Sequence, residues 1–247
     1  MIRNDSRATS WRFLEIRDDD DAKTIFQPSH AYFGHKLDLR VGEENLYKGL
    51  KSNARRNIKK AIKENIVTDR QTSLGAVKRF FELNCMTRKK HGLPPQPWRF
   101  FKKLHEHVIL PGQGFVQMAH LDKKAIAGAV FLHFNGRAVY KYGASDPAYQ
   151  TMRPNNLIMW EAVRHFAREG FESFCFGKTD PANEGLRRFK LGWGAEEFPI
   201  KYYKFDFRKE TVVLDEPRLE GLHTKIFNRT PTPVLKAIGA VLYKHVA

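Results

Sequence analysis

Apolar positions recur along this chain at two spacings, and the switch from one to the other predicts the order of its elements. Trp11 to Ile16 reads as a strand, and Lys36-Leu37-Asp38-Leu39 alternates like another. From Glu43 the spacing becomes helical, and Leu46, Leu50, Ala54, Ile58 and Ile62 predict one long helix. A second helix begins at Thr72 or Ser73 as cap, with Leu74, Val77, Phe81 and Cys85 inward, and stops near His91-Gly92. Pro97 suits the first turn of a third, whose inward positions are Phe100, Phe101, Leu104 and Val108. Three strands follow the Pro111 to Gly114 break: Phe115 to Leu121, Ala125 to Phe134 and Arg137 to Ala144. Asp122-Lys123-Lys124 turns the first corner of this meander, and Asn135-Gly136, a strong hairpin signal, turns the second.

The stretch from Tyr140 to Gly194 organises the rest. Its strand ends in Gly143-Ala144-Ser145, and a loop holding Pro147 and Pro154 stops both ladder and helix. With Asn155 as cap, Ile158, Met159, Ala162, Val163 and Phe166 form the stripe of a helix closed by Gly170. Phe171 to Phe176 is a short strand, and the Lys178 to Pro181 turn leads to a basic helix over Glu184 to Lys190. Leu186, Phe189 and Trp193 share the inward side of that helix, which leaves Lys190 about 100° away from Phe189 at an exposed margin.

The order YGAS, Pro-Asn-Asn-Leu-Ile-Met-Trp-Glu, Phe-Cys-Phe-Gly, Gly-Leu-Arg-Arg-Phe-Lys and Gly-Trp-Gly resembles the Fem family of aminoacyl-tRNA-dependent peptidyltransferases. The resemblance extends to the family's acyltransferase relatives associated with PEP-CTERM and exopolysaccharide export, and covers the chain back to about Tyr32. It implies an α/β (α+β) GNAT-like acyl-CoA N-acyltransferase fold: a mixed, mostly antiparallel sheet flanked by helices. Two helices, a three-stranded meander, a helix and a strand make the same order when read from periodicity alone. By the resemblance, residues 1–66 are the remnant of a first GNAT-like domain ending in a basic helix, and 67–210 form the acyltransferase domain. Residues 211–247 are a linker and an amphipathic helix over Pro231 to Val246 that docks on the core or lies on an anionic membrane. The pattern S-x-x-x-R-x-I-x-K-A recurs in the first unit as Ser52, Arg56, Ile58, Lys60 and Ala61, which brings Arg56 among the substrate-binding candidates.

The chemistry implied is amide formation, in which an amine attacks an activated carbonyl and a cation meets the charge on its oxygen. By resemblance to the family's Phe-Lys dipeptide, Phe189 and Lys190 are the catalytic candidates, the ring positioning the terminal ester or adenine. Arg187 and Arg188 suit phosphate contacts, and Tyr142 and Ser145 stand at the cleft edge expected where central strands part. Asp146, Asp180 and Glu184 are unranked acids or bases. No bound cofactor is expected. The donor is aminoacyl-tRNA or an acyl-CoA, and the loop Asp146 to Pro154, which has no glycine and carries an acid, makes a poor pyrophosphate cradle. The acceptor implied is a cell-envelope or exopolysaccharide precursor. A different class of reading is a non-catalytic RNA- or membrane-binding remnant.

Charge sharpens the choice of partner. The 247 residues carry 43 Lys and Arg against 27 Asp and Glu, a net charge of +16, which favours polyanionic partners such as RNA, anionic lipid or a phosphorylated precursor; with the resemblance, tRNA or another phosphate-rich polyanion is the partner implied. Much of that excess lies on Lys48, Lys51, Arg55, Arg56, Lys59, Lys60 and Lys63, a band suited to a phosphate backbone. Asp18 to Asp21 reads as a solvated turn, and His105 and His107, two apart on a helix, do not converge on a metal. Cys85 and Cys175 support neither a disulfide framework nor a zinc site, so a cytoplasmic setting is expected, with peripheral contact at the inner membrane face through the C-terminal helix.

Overall fold

A computed structural model describes residues 11–18, 27–214 and 222–243. Among these, nine strands form one sheet: β1 (Phe13–Asp18), β2 (His30–Asp38), β3 (Val67–Gln71), β4 (Gly114–Leu121), β5 (Lys124–Phe134), β6 (Arg137–Ser145), β7 (Ser173–Cys175), β8 (Glu196–Asp206) and β9 (Thr211–Val212). Their order is β1-β8-β2-β7-β6-β5-β4-β3, with β9 added to β8, and every pairing is antiparallel except that of β6 with β7. Asn135 and Gly136 both take positive φ at the β5–β6 corner, as the Asn-Gly signal requires. Strands β1 and β2, from the first 66 residues, lie in the same sheet as the meander. Asp19 to Asp21 and residues 215–218 of the expected linker lie outside the described residues.

Helices cover both faces. On one lie α1 (Glu43–Gly49), α2 (Ser52–Lys63), α5 (Pro154–Arg168) and α6 (Glu184–Leu191), over a core that includes Leu37, Leu39, Ile58, Phe131, Phe166, Phe174, Phe176 and Trp193. On the other, α3 (Leu74–Lys90) and α4 (Trp98–Leu104) enclose Val77, Phe80, Phe81, Phe101, Met118 and Val130. After α7 (Leu222–Arg229), α8 (Thr232–Leu242) docks on this second layer: Leu235 is fully buried, Lys236 lies over Phe81, and the Tyr243 hydroxyl accepts from Arg88.

Several boundaries differ from those the periodicity predicts, each for a local reason. The long helix from Glu43 is two, because Leu50 and Lys51 are extended and the Lys51 amide is held by the Gly192 carbonyl at 2.9 Å. The break re-phases the second half, so Ala54, Ile58 and Ala61 are buried while Ile62 faces solvent. Leu74 and Phe100, expected inward, are largely exposed. A π-helical turn over His105–Ile109 inserts a residue beyond α4, so Ile109 is buried deeper than Val108. Asn155 is not the cap of α5. Arg153, at φ 65°, holds that place, Pro154 is the first helical residue, and a 3₁₀ helix over Pro147–Met152 fills the loop before it.

Candidate active site

Strand separation at the centre of the sheet makes the candidate cleft. β6 faces β7 only where Arg137, Ala138 and Val139 meet Ser173, Phe174 and Cys175. The chain then leaves β6: Phe176 donates its amide to the His35 carbonyl, Gly177 turns at φ 73°, and Thr179 exchanges both backbone hydrogen bonds with Phe33 of β2. That conformation at 177 suits glycine, which has no Cβ to clash. On the opposite wall Lys141 is an extra residue in β6, since Val130 faces Tyr142 while Phe131 faces Tyr140. Such a bulge bends its strand and re-aims the side chains beside it. Here it sends Tyr140 onto Phe131 in the first core and Tyr142 onto Phe100 and Phe101 in the second. β6 and β7 therefore part beyond Val139 and Cys175.

Lys190 is not at an exposed margin. It is 2% exposed, and its Nζ donates to the Gly177 carbonyl at 2.8 Å and the Lys178 carbonyl at 3.1 Å. The correction is geometric. Asn183 caps α6 by accepting from the Leu186 amide, and the helix lies over β2 with the 177–179 turn closing its flank, so a direction well round from Phe189 still points inward. Burial pushes the ammonium down to about 8. Two of its three N–H groups meet these carbonyls, which fixes one wall of the cleft to α6.

Beside Lys190 is a polar layer that sequence reasoning did not single out. His35 is fully buried, and its Nε2 pairs with Glu197 at 3.0 Å; both Glu197 oxygens also accept from Arg187 at 2.7 Å. Burial, reinforced by Lys190, holds the imidazole below its ordinary pKa, and the bonds from Arg187 lower the Glu197 carboxyl. Three further buried atoms, His35 Nδ1, Thr179 Oγ1 and Trp193 Nε1, have no hydrogen-bond partner among the described residues. Thr179 is bridged to Phe33, which lies two residues before His35 and under the Arg187 guanidinium, while Trp193 follows α6 directly. All three sit in the layer between the sheet and α6. A buried polar group left unpaired costs about 1–3 kcal/mol, so this layer is equipped to accept a hydrogen-bonding guest. The signal for His35 was present in the inward alternation of Phe33, His35, Leu37 and Leu39; Glu197, 162 residues away, left none.

The other candidates are dispersed. Arg187 is committed to Glu197, whereas Arg188 is exposed, its Nε donating to the Glu184 carbonyl at 3.4 Å and its guanidinium 3.9 Å from the Glu184 carboxylate. Phe189 is half-buried against Trp193. Tyr142 packs in the second layer, across the sheet from Lys190. Ser145 is buried, its Oγ accepting from Gln150 at 3.1 Å and Asn155 at 3.4 Å. Arg56 is exposed on α2, where Arg55, Arg56, Lys59, Lys60 and Lys63, with Lys51 just before the helix, pair with no carboxylate among the described residues. Among those residues no group of His, Cys, Asp or Glu is placed to hold a metal. A charged groove of about 320 Å³, lined by Lys36, Asp38, Arg40, Arg137 and Glu196, lies at the far end of β6 and β7 from the separation.

Comparison with known proteins bears on the fold and the family. The model of the acetyltransferase (GNAT) domain matches residues 48–204, from α1 through most of β8. The chain belongs to the GNAT acetyltransferase family. Within that family its likeness is Fem-type: it is 32% identical over 99 residues to the lipid II:glycine glycyltransferase of Staphylococcus haemolyticus, and 29% over 98 residues to that of Staphylococcus epidermidis. Each alignment spans 37% of this chain and 22% of the relative. Of solved folds, the crystal structure of FemX superposes with a TM-score of 0.63 at 15% identity, over 80% of this chain and 67% of that one. A tandem GNAT protein from the clavulanic acid pathway gives 0.53 at 11% identity, over 83% and 67%. The GNAT expectation, with its mostly antiparallel sheet flanked by helices, thus holds, and so does membership of an acyl- or aminoacyltransferase class.

Proposed function

We propose that this GNAT domain transfers an aminoacyl group from tRNA to an amine on a cell-envelope precursor. The likeness to the glycyltransferases supports amide formation and an envelope acceptor. The observation that carries the choice of donor is the segment after β6. Asp146 is buried there, its carboxylate accepting from the Ala148 amide and from Lys124. Pro154 removes the first amide of α5, and the Asn156 amide is taken by the Arg153 carbonyl. A pyrophosphate needs free amides at a helix start, and of the first three residues of α5 one has no amide and another's is taken. The unpaired cations of α2 offer a surface about 18 Å long, a length suited to a nucleic-acid backbone.

In the reaction the acceptor nitrogen forms a bond to the ester carbonyl carbon, the bond to the ribose oxygen breaks, and the amine proton passes to the departing oxygen through solvent or a protein base. Lys190 supplies positive charge beside the cleft for the developing oxyanion, while its Nζ holds the Gly177 and Lys178 carbonyls. Phe189, on the same helix, positions the donor end, and Arg188 and Arg56 contact its phosphates. The family's acetyltransferase description favours a second reading, acyl-CoA as donor; a non-catalytic RNA-binding remnant is the third. Equilibrium binding separates them. Charged tRNA is expected to bind with a steep inverse salt dependence. Micromolar binding of acetyl-CoA with no tRNA shift at low salt contradicts the proposal.

A further inference from the structure

The C-terminal helix has two apolar faces, and the core uses one. On the inner face of α8, Leu235 and Gly239 are buried against the second layer, and a Cβ on Gly239 would overlap the Pro95 carbonyl, so the helix lies as close as glycine permits. Facing away, Val234, Ala237 and Val241 recur at helical spacing and are exposed, Val241 by 61%. Leu242 continues the exposed surface, and Ile226 of α7, shortly before the Pro231 corner, is 58% exposed. Such an apolar surface facing solvent marks an interaction site.

The charge around it selects the partner. From residue 221 to 247 the chain has no Asp or Glu and four Lys or Arg, of which Lys236 turns inward over Phe81. Arg229 is exposed just before α8, and at its other end Arg88 bonds the Tyr243 hydroxyl at 3.0 Å. We infer that the outer face of α8 rests in the headgroup region of an anionic phospholipid bilayer, with the helix parallel to its surface. Eleven residues span only about 16 Å, against roughly 30 Å of hydrocarbon, so the helix lies on the membrane and does not cross it. Apolar burial supplies the adhesion, and the cations bring the face to negative headgroups. α8 and α2 occupy opposite layers of the sheet, so contact with a membrane leaves the basic helix open to a polyanion. The inference does not depend on the proposed reaction.

Sedimentation of the full chain with vesicles tests it. Vesicles of phosphatidylcholine with added phosphatidylglycerol are expected to carry the protein down, and phosphatidylcholine alone is not. Val234→Asp with Val241→Asp, both at exposed positions, should cut partitioning about tenfold or more with unchanged melting, whereas Lys59→Glu with Lys60→Glu on α2 should partition like the parent. Val241→Ser, a milder change at one of the same positions, should fall between parent and double variant if the aspartates disturb the fold. Failure of the parent to sediment overturns the inference. So does loss through the α2 variant with the α8 variants unaffected, which assigns vesicle binding to general charge attraction.

Discussion

Lys190 shows what a motif conveys and what it leaves out. Its place after Phe189 was legible as a candidate catalytic pair, but its burial was not, because the covering turn at 177–179 is distant in sequence and the carbonyls that meet it belong to that turn. The consequence for stability reverses. An exposed lysine contributes almost nothing to the fold, whereas Lys190→Ala leaves two carbonyls and a void, and should cost about 1–3 kcal/mol and several degrees of melting temperature. Transfer should fall about 100-fold as well. Lys190→Met keeps much of the volume without the charge, so a turnover loss greater than its stability loss assigns the effect to charge. The pH response has a defined sign. The unfolded lysine keeps its proton to about 10.5 and the folded one only to about 8, so the unfolded state binds more protons between those values and stability should rise there. Activity that needs the ammonium should fall over the same window, and melting and rate measured from pH 7 to 10 should diverge. For His35, held below 6.5 by burial, stability should decline as pH drops through 6.5 toward the folded value, and His35→Asn should flatten that decline.

Elements were legible where local pattern decides them and displaced where tertiary contacts do. The β4 to β6 meander, the Asn135-Gly136 corner and the α5 stripe follow from alternation, turn chemistry and helical spacing. The break at Leu50-Lys51 follows Gly49, a weak stop signal inside an unbroken apolar stripe, and is held by the Gly192 carbonyl, so a helical wheel drawn through Glu43 to Lys63 misplaces Ile62. The charge of α2 is a property of the element. Lys59→Glu with Lys60→Glu should weaken tRNA binding at every salt concentration and lower the salt slope by roughly one for each phosphate no longer neutralised, with melting unchanged because both side chains are exposed. The inner face of α8 gives a prediction of opposite kind. Deleting residues 231–247 removes Leu235 from the second layer and uncovers Phe81 and Pro95, so the melting temperature should drop; unchanged melting in a thermal scan contradicts the docking.

At the scale of the molecule, a single sheet carries two layers with different chemistry. The first holds α6, the buried polar layer and the basic helix α2; the second holds α3, α4 and the apolar helix α8. The GNAT order of the meander, α5 and β7 was readable from the sequence. The junction of β2 and β8 beside β7 was not, because 162 residues separate His35 from Glu197 and no local signal announces a pairing over that distance. That junction assembles the buried polar layer: β2 supplies His35 and the bridge to Thr179, and β8 supplies Glu197. The central claim is transfer from tRNA. The protein is incubated with tRNA charged with a labelled amino acid and with a lipid extract containing envelope precursors, and the organic and aqueous phases are counted. Label is expected to move to the lipid fraction in a single turnover, slowly with Lys190→Ala. Label that stays on tRNA, while labelled acetyl-CoA transfers to the same extract, contradicts it.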